Sequence, residues 1–165
     1  MPARPPAVRA PARLVVSADF ERVLGERSRS TTAHFAVHHL DSPPSRPTPR
    51  RARPGPTELS TNEDPAGTFP VEDFSPAALP AGSAWVGAVV PKRYAKRAAT
   101  RSLLKRQIYA ATARHRSRLA PGLWIVRLRA PFDPAHFVSA ASAALRRAAR
   151  SELDALLSAA TAVHR

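Results

Sequence analysis

Two hydrophobic periods run in blocks along this 165-residue chain. In "SADFERVLGERSRS", Phe20, Val23 and Leu24 lie at i, i+3 and i+4 and form one apolar face, the pattern of a short helix. Ser17 is placed to cap it, Asp19 and Glu21 fall in its first turn, and Gly25 can end it. "TTAHFAVHHL" switches to period two, with Phe35 and Val37 on one side of a strand and Ala36 and His38 on the other. "SAWVGAVVP" is a compact apolar strand, Trp85 to Val90, ended by Pro91, and "PGLWIVRLRAP" holds another, Leu123 to Leu128. The period between them is helical, from about Ala95 to Arg114. Strand, helix and strand in this compass predict a βαβ unit with parallel strands. Further on, Asp133 as cap and Pro134 in the first turn predict a C-terminal helix through "FVSAASAALRRAARSELDALLSAA", broken near Ser151. Its buried side is Leu145, Leu153, Leu156 and Leu157. The fold class that follows is α/β: a single small sheet packed by helices, with the middle helix as the βαβ crossover.

Composition divides the chain. Most of its 18 prolines fall between Asp41 and Gly82, a stretch without periodicity that cannot bury a core, so 41–82 is read as a disordered Pro-rich insertion. Its "PSRPTPRR" matches an SH3-ligand pattern of a kind common in Pro-rich linkers. Residues 1–12 are read as a disordered basic arm, 13–40 and 83–160 as one domain, and 161–165 as a tail. There is no Cys, which removes disulfides, thiolate zinc sites and cysteine nucleophiles, and fits a reducing cytoplasm. No run approaches a membrane span, and "MPARPPAVRAPARLVV" has no apolar signal core. No membrane partner is expected.

Charge changes the picture most. The net charge is +14, and from Phe74 to Phe132 there are twelve Lys/Arg and no Asp or Glu. The remainder carries fourteen basic and twelve acidic residues, so nearly the whole excess sits on one segment. Such concentration repels itself in the folded state, and a polyanion relieves it through counterion release. Nucleic acid is the favoured partner over an anionic membrane or a mere solubility device. On a helical wheel, Thr100, Leu104, Ile108 and Ala111 fall together and face the sheet. Arg97, Arg101 and Lys105 repeat at i+4 along the neighbouring arc, with Ser102 and Arg106 farther round. Like charges at this spacing weaken a helix, and no carboxylate is interleaved to offset them. Lys92 and Arg93 sit just before the helix, at the carboxyl end of a strand where α/β folds place sites. Arg and Lys in this spacing suit phosphates, by fork and by point charge.

Other chemistry finds little footing. The six histidines, His34, His38, His39, His115, His136 and His164, show no metal-ligand spacing. There is no GxSxG, P-loop or GxGxxG, and Asp133 and Glu152 read as a helix cap and a surface charge. Nuclease chemistry of the protein's own would need clustered carboxylates for metals, and the basic segment has none.

"WVGAVVPKRYAKRAATRSLLKRQIY" resembles the central signature of the bacterial ribonuclease P protein subunit family: a Gly-containing strand, a basic pair, then R-N-x-x-K-R in a helix. Arg101, Lys105 and Arg106 match the motif's basic positions, Gly87 the strand glycine, and Lys92 with Arg93 the pair. "RLVVSADFERVL" resembles the opening helix with its recurring D-F pair, here Asp19 and Phe20, and "GLWIVRLR" and "SELDALLSAA" resemble the last strand and closing helix. Outside arm and insertion, the resemblance covers nearly the whole core. Four positions depart: Ser102 replaces the motif's Asn, Leu103 a frequent Arg, Pro91 a Ser before the pair, and Trp85 a basic residue. The insertion is also longer than the family pattern.

The resemblance implies a ribosomal-protein-S5-domain-2-like fold with a left-handed crossover, against the usual right-handed rule. It implies a subunit of an RNA-based endoribonuclease that matures tRNA 5′ ends, with a catalytic RNA and precursor tRNA as partners. The RNA carries the Mg²⁺-dependent chemistry, and the protein has no catalytic residue, metal or cofactor of its own. Catalytic-RNA contacts are expected at Lys92, Arg93, Lys96, Arg97, Arg101, Ser102, Lys105 and Arg106. Contacts to the single-stranded 5′ leader are expected at Phe20, Phe35 and Lys92, with aromatic rings stacking bases and cations holding phosphates. The alternatives are a structural RNA binder of ribosomal-protein type with no role in cleavage, and a stand-alone enzyme or peptide adaptor.

Overall fold

Alternation in three apolar segments builds the centre of a five-stranded sheet. The computed structural model describes residues 11–45 and 83–162; the expected arm as far as residue 10, the expected insertion over 46–82 and residues 163–165 lie outside the described residues. The elements are β1 (Ala12–Arg13), α1 (Ser17–Gly25), β2 (Ser30–Thr31), β3 (Phe35–Leu40), β4 (Ala84–Val89), α2 (Ala98–Arg114), β5 (Gly122–Leu128) and α3 (Ala143–Ala162). Strand order is β1-β4-β5-β3-β2. β4 pairs parallel with β5, as the βαβ reading expects, and β5 pairs antiparallel with β3. Ala12, expected to close a disordered arm, instead pairs with Trp85 in the parallel β1–β4 edge.

Each strand sends alternate side chains to opposite faces. One face, with Phe35, Val37, Val86, Trp124, Val126 and Leu128, packs against Leu103, Leu104, Ile108 and Ala111 of α2 and against Leu145, Ala149, Leu153, Leu156, Leu157 and Ala160 of α3. The buried Trp124 indole donates to Ala120 O at 2.8 Å, which satisfies the one polar atom that burial would penalise. The other face gathers a smaller cluster: Leu14, Val23, Leu123 and Ile125, flanked by half-buried Phe20, Leu24, Leu40, Trp85 and Val89. β5 starts at Gly122, whose φ of +116° and approach to Leu40 O leave no room for a side chain.

Two helix starts differ from expectation. Ser17 lies inside α1, whose N-cap is Val16 without a side-chain bond. Asp133 accepts the Ala135 N–H at 2.8 Å and so caps a short turn, and these bonds, with the His136 ring beside them, hold its carboxyl below the usual range. α3 begins ten residues later, where Ser142 Oγ accepts the Leu145 N–H at 3.1 Å, an N-cap to N3 bond. It runs unbroken through Ser151.

Glu152, expected as a surface charge, is a half-buried anchor between α3 and β3. It accepts the His34 N–H at 2.6 Å and lies 2.8 Å from His34 Nδ1, while the His34 ring stacks on Phe132 at 4.0 Å. Burial pushes its pKa up, but the Thr32 hydroxyl and the backbone and ring of His34 outweigh this and hold the carboxyl below the ordinary glutamate value. Asp19 does the same service for α1. Fully buried, it accepts Ser45 N at 2.9 Å and Ser45 Oγ at 2.6 Å and pairs with Arg22 at 3.0 Å, fastening the segment after β3 to the helix.

Candidate nucleic-acid interface

The half-covered face of the sheet forms a groove. On this face Trp85, Gly87 and Val89 of β4 lie beside Leu123, Ile125 and Arg127 of β5, pairs in register across the parallel ladder; Gly87, Leu123 and Ile125 are buried beneath α1, and Trp85, Val89 and Arg127 stay partly open. α1 forms one wall. The Phe20 ring lies directly on Gly87: a Cβ there would sit 2.6 Å from Phe20 Cε1 and 3.4 Å from Ile125 Cγ1. The strand glycine is therefore the space the ring occupies, and Phe20 stays half-buried with part of its surface open to the groove. Towards the carboxyl end of β4 the groove deepens into a cavity of about 430 Å³ lined by Leu24, Val89, Pro91, Lys92, Arg93 and Arg127. An apolar floor meets three cations there.

Past this rim the chain turns, with Tyr94 N and Ala95 N donating to Pro91 O, and enters α2. Lys92, Arg93, Lys96 and Arg97 are exposed on the turn, and Ser102, Lys105 and Arg106 on the helix. The Arg93 guanidinium lies 4.7 Å over the Tyr94 ring. Among the described residues, none of the seven cations from Lys92 to Arg106 has a carboxylate within ion-pair distance. α2 has no acidic residue in its first turn and no side-chain N-cap, so cations crowd the positive end of its dipole. An anion is what this corner lacks.

The structure brings most of the expected residues to one connected surface, from Phe20 and Lys92 at the groove to Arg106 on α2, and sorts three of them differently. Phe35 is corrected: it is fully buried on the helix-covered face, 5.8 Å from the Phe132 ring centroid, and presents nothing for a base to stack on. Arg101 turns back on its own loop, where Nη1 donates to Ala95 O at 3.0 Å and Lys96 O at 2.7 Å. It braces the turn that carries the other cations. Arg97 remains exposed while donating to Val138 O at 3.0 Å. Leu103, where the resemblance expects Arg, is 4% exposed within the α2–α3 core.

Three groove residues were absent from the sequence expectation. Arg127 is the polar break in an alternation that otherwise reads Leu123, Ile125 on this face, a signal present in the strand itself. Trp85 shares β4's groove side with Gly87, and Leu24 is Phe20's neighbour one turn on. Arg13 extends the basic surface on the other side of the sheet, its guanidinium 4.5 Å over Tyr109 of α2.

The model of the Ribonuclease P family matches residues 8–152. The Ribonuclease P protein component of Paraburkholderia xenovorans is 31% identical over 146 residues, covering 88% of this chain and 78% of that protein. That of Bordetella petrii is 38% identical over 92 residues, covering 54% and 71%. The solved structure of the Staphylococcus aureus RNase P protein has the same fold, with a TM-score of 0.52 at 17% identity over 88% of this chain and 92% of that one. Among the described residues no helix is long and apolar enough to cross a membrane. With the family's match spanning the sheet, α1, α2 and the first half of α3, this chain belongs to the family of ribonuclease P protein components.

Proposed function

We propose that this chain acts as the protein subunit of a ribonucleoprotein endonuclease that matures tRNA 5′ ends, with the cationic turn and α2 holding the catalytic RNA and the groove holding the single-stranded leader of precursor tRNA. The observation that carries this reading is the continuity of two unlike surfaces at Lys92. On one side lies an apolar groove with the half-open Phe20 ring on Gly87; on the other lies a run of exposed cations without carboxylates. The groove suits unpaired bases, which stack on aromatic faces while flanking cations hold phosphates. The α2 surface suits a structured RNA, whose phosphates it meets by charge. Hydrolysis and its Mg²⁺ belong to the RNA, and the protein contributes binding and position, with no cofactor of its own. The ribosomal-protein alternative accounts for the basic helix but gives the groove no task.

The test is reconstitution with the cognate catalytic RNA at limiting Mg²⁺, with and without this protein. Faster cleavage of precursor tRNA at the mature 5′ end is expected. No stimulation would overturn the reading.

A further inference from the structure

A second charged surface lies across the sheet from the groove. α2 and α3 run side by side in the same direction: Arg97 and Thr100 donate to Val138 O and Ala140 O at one end, and Arg114 binds Asp154 at 2.8 Å at the other. By the helical repeat, the strip of α2 turned towards α3 runs from Thr100 and Leu103 through Gln107 to Arg114, so α2 puts no cation there before its last residue. α3 supplies them instead. With Leu145, Ala149, Leu153 and Leu157 buried, Arg146, Arg147 and Arg150 are exposed and share with Asp154 an arc of about 100° on the side facing Arg114.

We propose that this outer α2–α3 surface is a second phosphate-binding track, fitted to the backbone of double-helical RNA. Counting Arg114 with the three arginines of α3 gives four cations against the single carboxylate of Asp154, a balance of +3. Asp154 is already divided among Arg114, His115 and Arg150, and Glu152 is turned to the opposite side of α3, bound to His34. Arg146 and Arg147 have no carboxylate within ion-pair distance among the described residues. Charge of one sign on two packed helices is costly unless an anion covers it. A duplex is the form of RNA that fits. None of these side chains is an aromatic ring for an unpaired base to stack on, and Tyr109 lies on the other side of α2 beneath Arg13. A helix with its bases hidden offers the phosphates such a surface reads. The track does not depend on what the groove holds.

The test uses the full chain with Arg146→Gln and Arg147→Gln together, Gln being a good helix former. Probes are an RNA duplex of about 16 base pairs and an oligouridine of similar length, titrated by fluorescence anisotropy across a salt series. Loss of two phosphate contacts lowers the slope of log K against log salt for the duplex by about two units, and the duplex affinity by roughly 30-fold near 0.15 M salt. Oligouridine binding stays within about twofold on the same argument, and the Arg146→Lys, Arg147→Lys pair retains the duplex slope. An unchanged duplex slope, or equal losses on both probes, overturns the proposal. So does an acidic peptide that binds the track while the duplex does not. If circular dichroism shows that the Gln pair disturbs α3, Arg147→Glu alone serves, and must lower the duplex slope by at least about one unit.

Discussion

On the face of the sheet covered by α2 and α3, Phe35, Val37, Val86, Trp124, Val126 and Leu128 are each at most 1% exposed. On the opposite face, among the described residues, the helix that the same three strands meet is the nine-residue α1, and Trp85, Val89, Phe20 and Leu24 stay half-buried. Two long helices close one side completely; one short helix closes half of the other and leaves a groove ending in Lys92, Arg93 and Arg127. The difference teaches that strand parity decides which face a side chain joins, and that the helix above it decides how far it is buried. Leu123 and Ile125 share the groove face with Trp85 and Val89 and are nevertheless fully buried, because α1 lies over them.

The largest expected effect breaks the closed face. Phe35→Ala should destabilise the protein by about 3–5 kcal/mol in urea denaturation, while the variant that remains folded keeps its preference for precursor over mature tRNA. Phe20→Ala should do the reverse, weakening precursor but not mature tRNA binding by about 1–3 kcal/mol. Equal losses for both tRNAs would put Phe20 in the core instead. Gly87→Ala sharpens the same point, because its Cβ must displace the Phe20 ring; its precursor affinity should fall in the direction of the Phe20 variant.

Next come the solvent-facing cations. Lys105→Gln with Arg106→Gln should lower the salt slope of catalytic-RNA binding by about 0.9 for each lost contact. Arg101→Gln acts through the turn it braces, so its effect should include faster hydrogen exchange at Tyr94 and Ala95, which the first pair leaves unchanged. The smallest effect concerns Glu152. Its folded pKa is depressed, so its stabilisation is fully present above the unfolded value near 4.5 and is lost as pH falls through the lower folded value. The stability gap between wild type and Glu152→Gln should therefore be constant at neutral pH and narrow below about pH 4.5.

Much of this arrangement was legible in local pattern. Period two gave the parity of Phe35 and Val37, period 3.6 gave Leu104 and Ile108 on the sheet side of α2, and the charge run marked the interface. What stayed hidden depended on contacts far apart in the chain. Phe20 and Phe35 look alike as aromatic residues in amphipathic segments, and only the packing of α3 over β3, anchored by Glu152 on His34, buries one while the other stays half open. Leu103 reads as a lost cation until α3 is seen to cover it. Asp133 and Ser142 both carry cap chemistry, and both cap, the first a single turn and the second the helix. Arg127 needed the register with Val89 to be seen at the groove.

The central claim, that groove and α2 hold different RNAs, is open to one direct measurement. The chain has no cysteine, so single-Cys variants Leu24→Cys at the groove and Arg106→Cys on α2 can each carry one photo-cross-linker. In the assembled complex with precursor tRNA, the probe at 24 is expected to cross-link the 5′ leader and the probe at 106 the catalytic RNA. Both probes marking the same RNA, or the two exchanging targets, would contradict it.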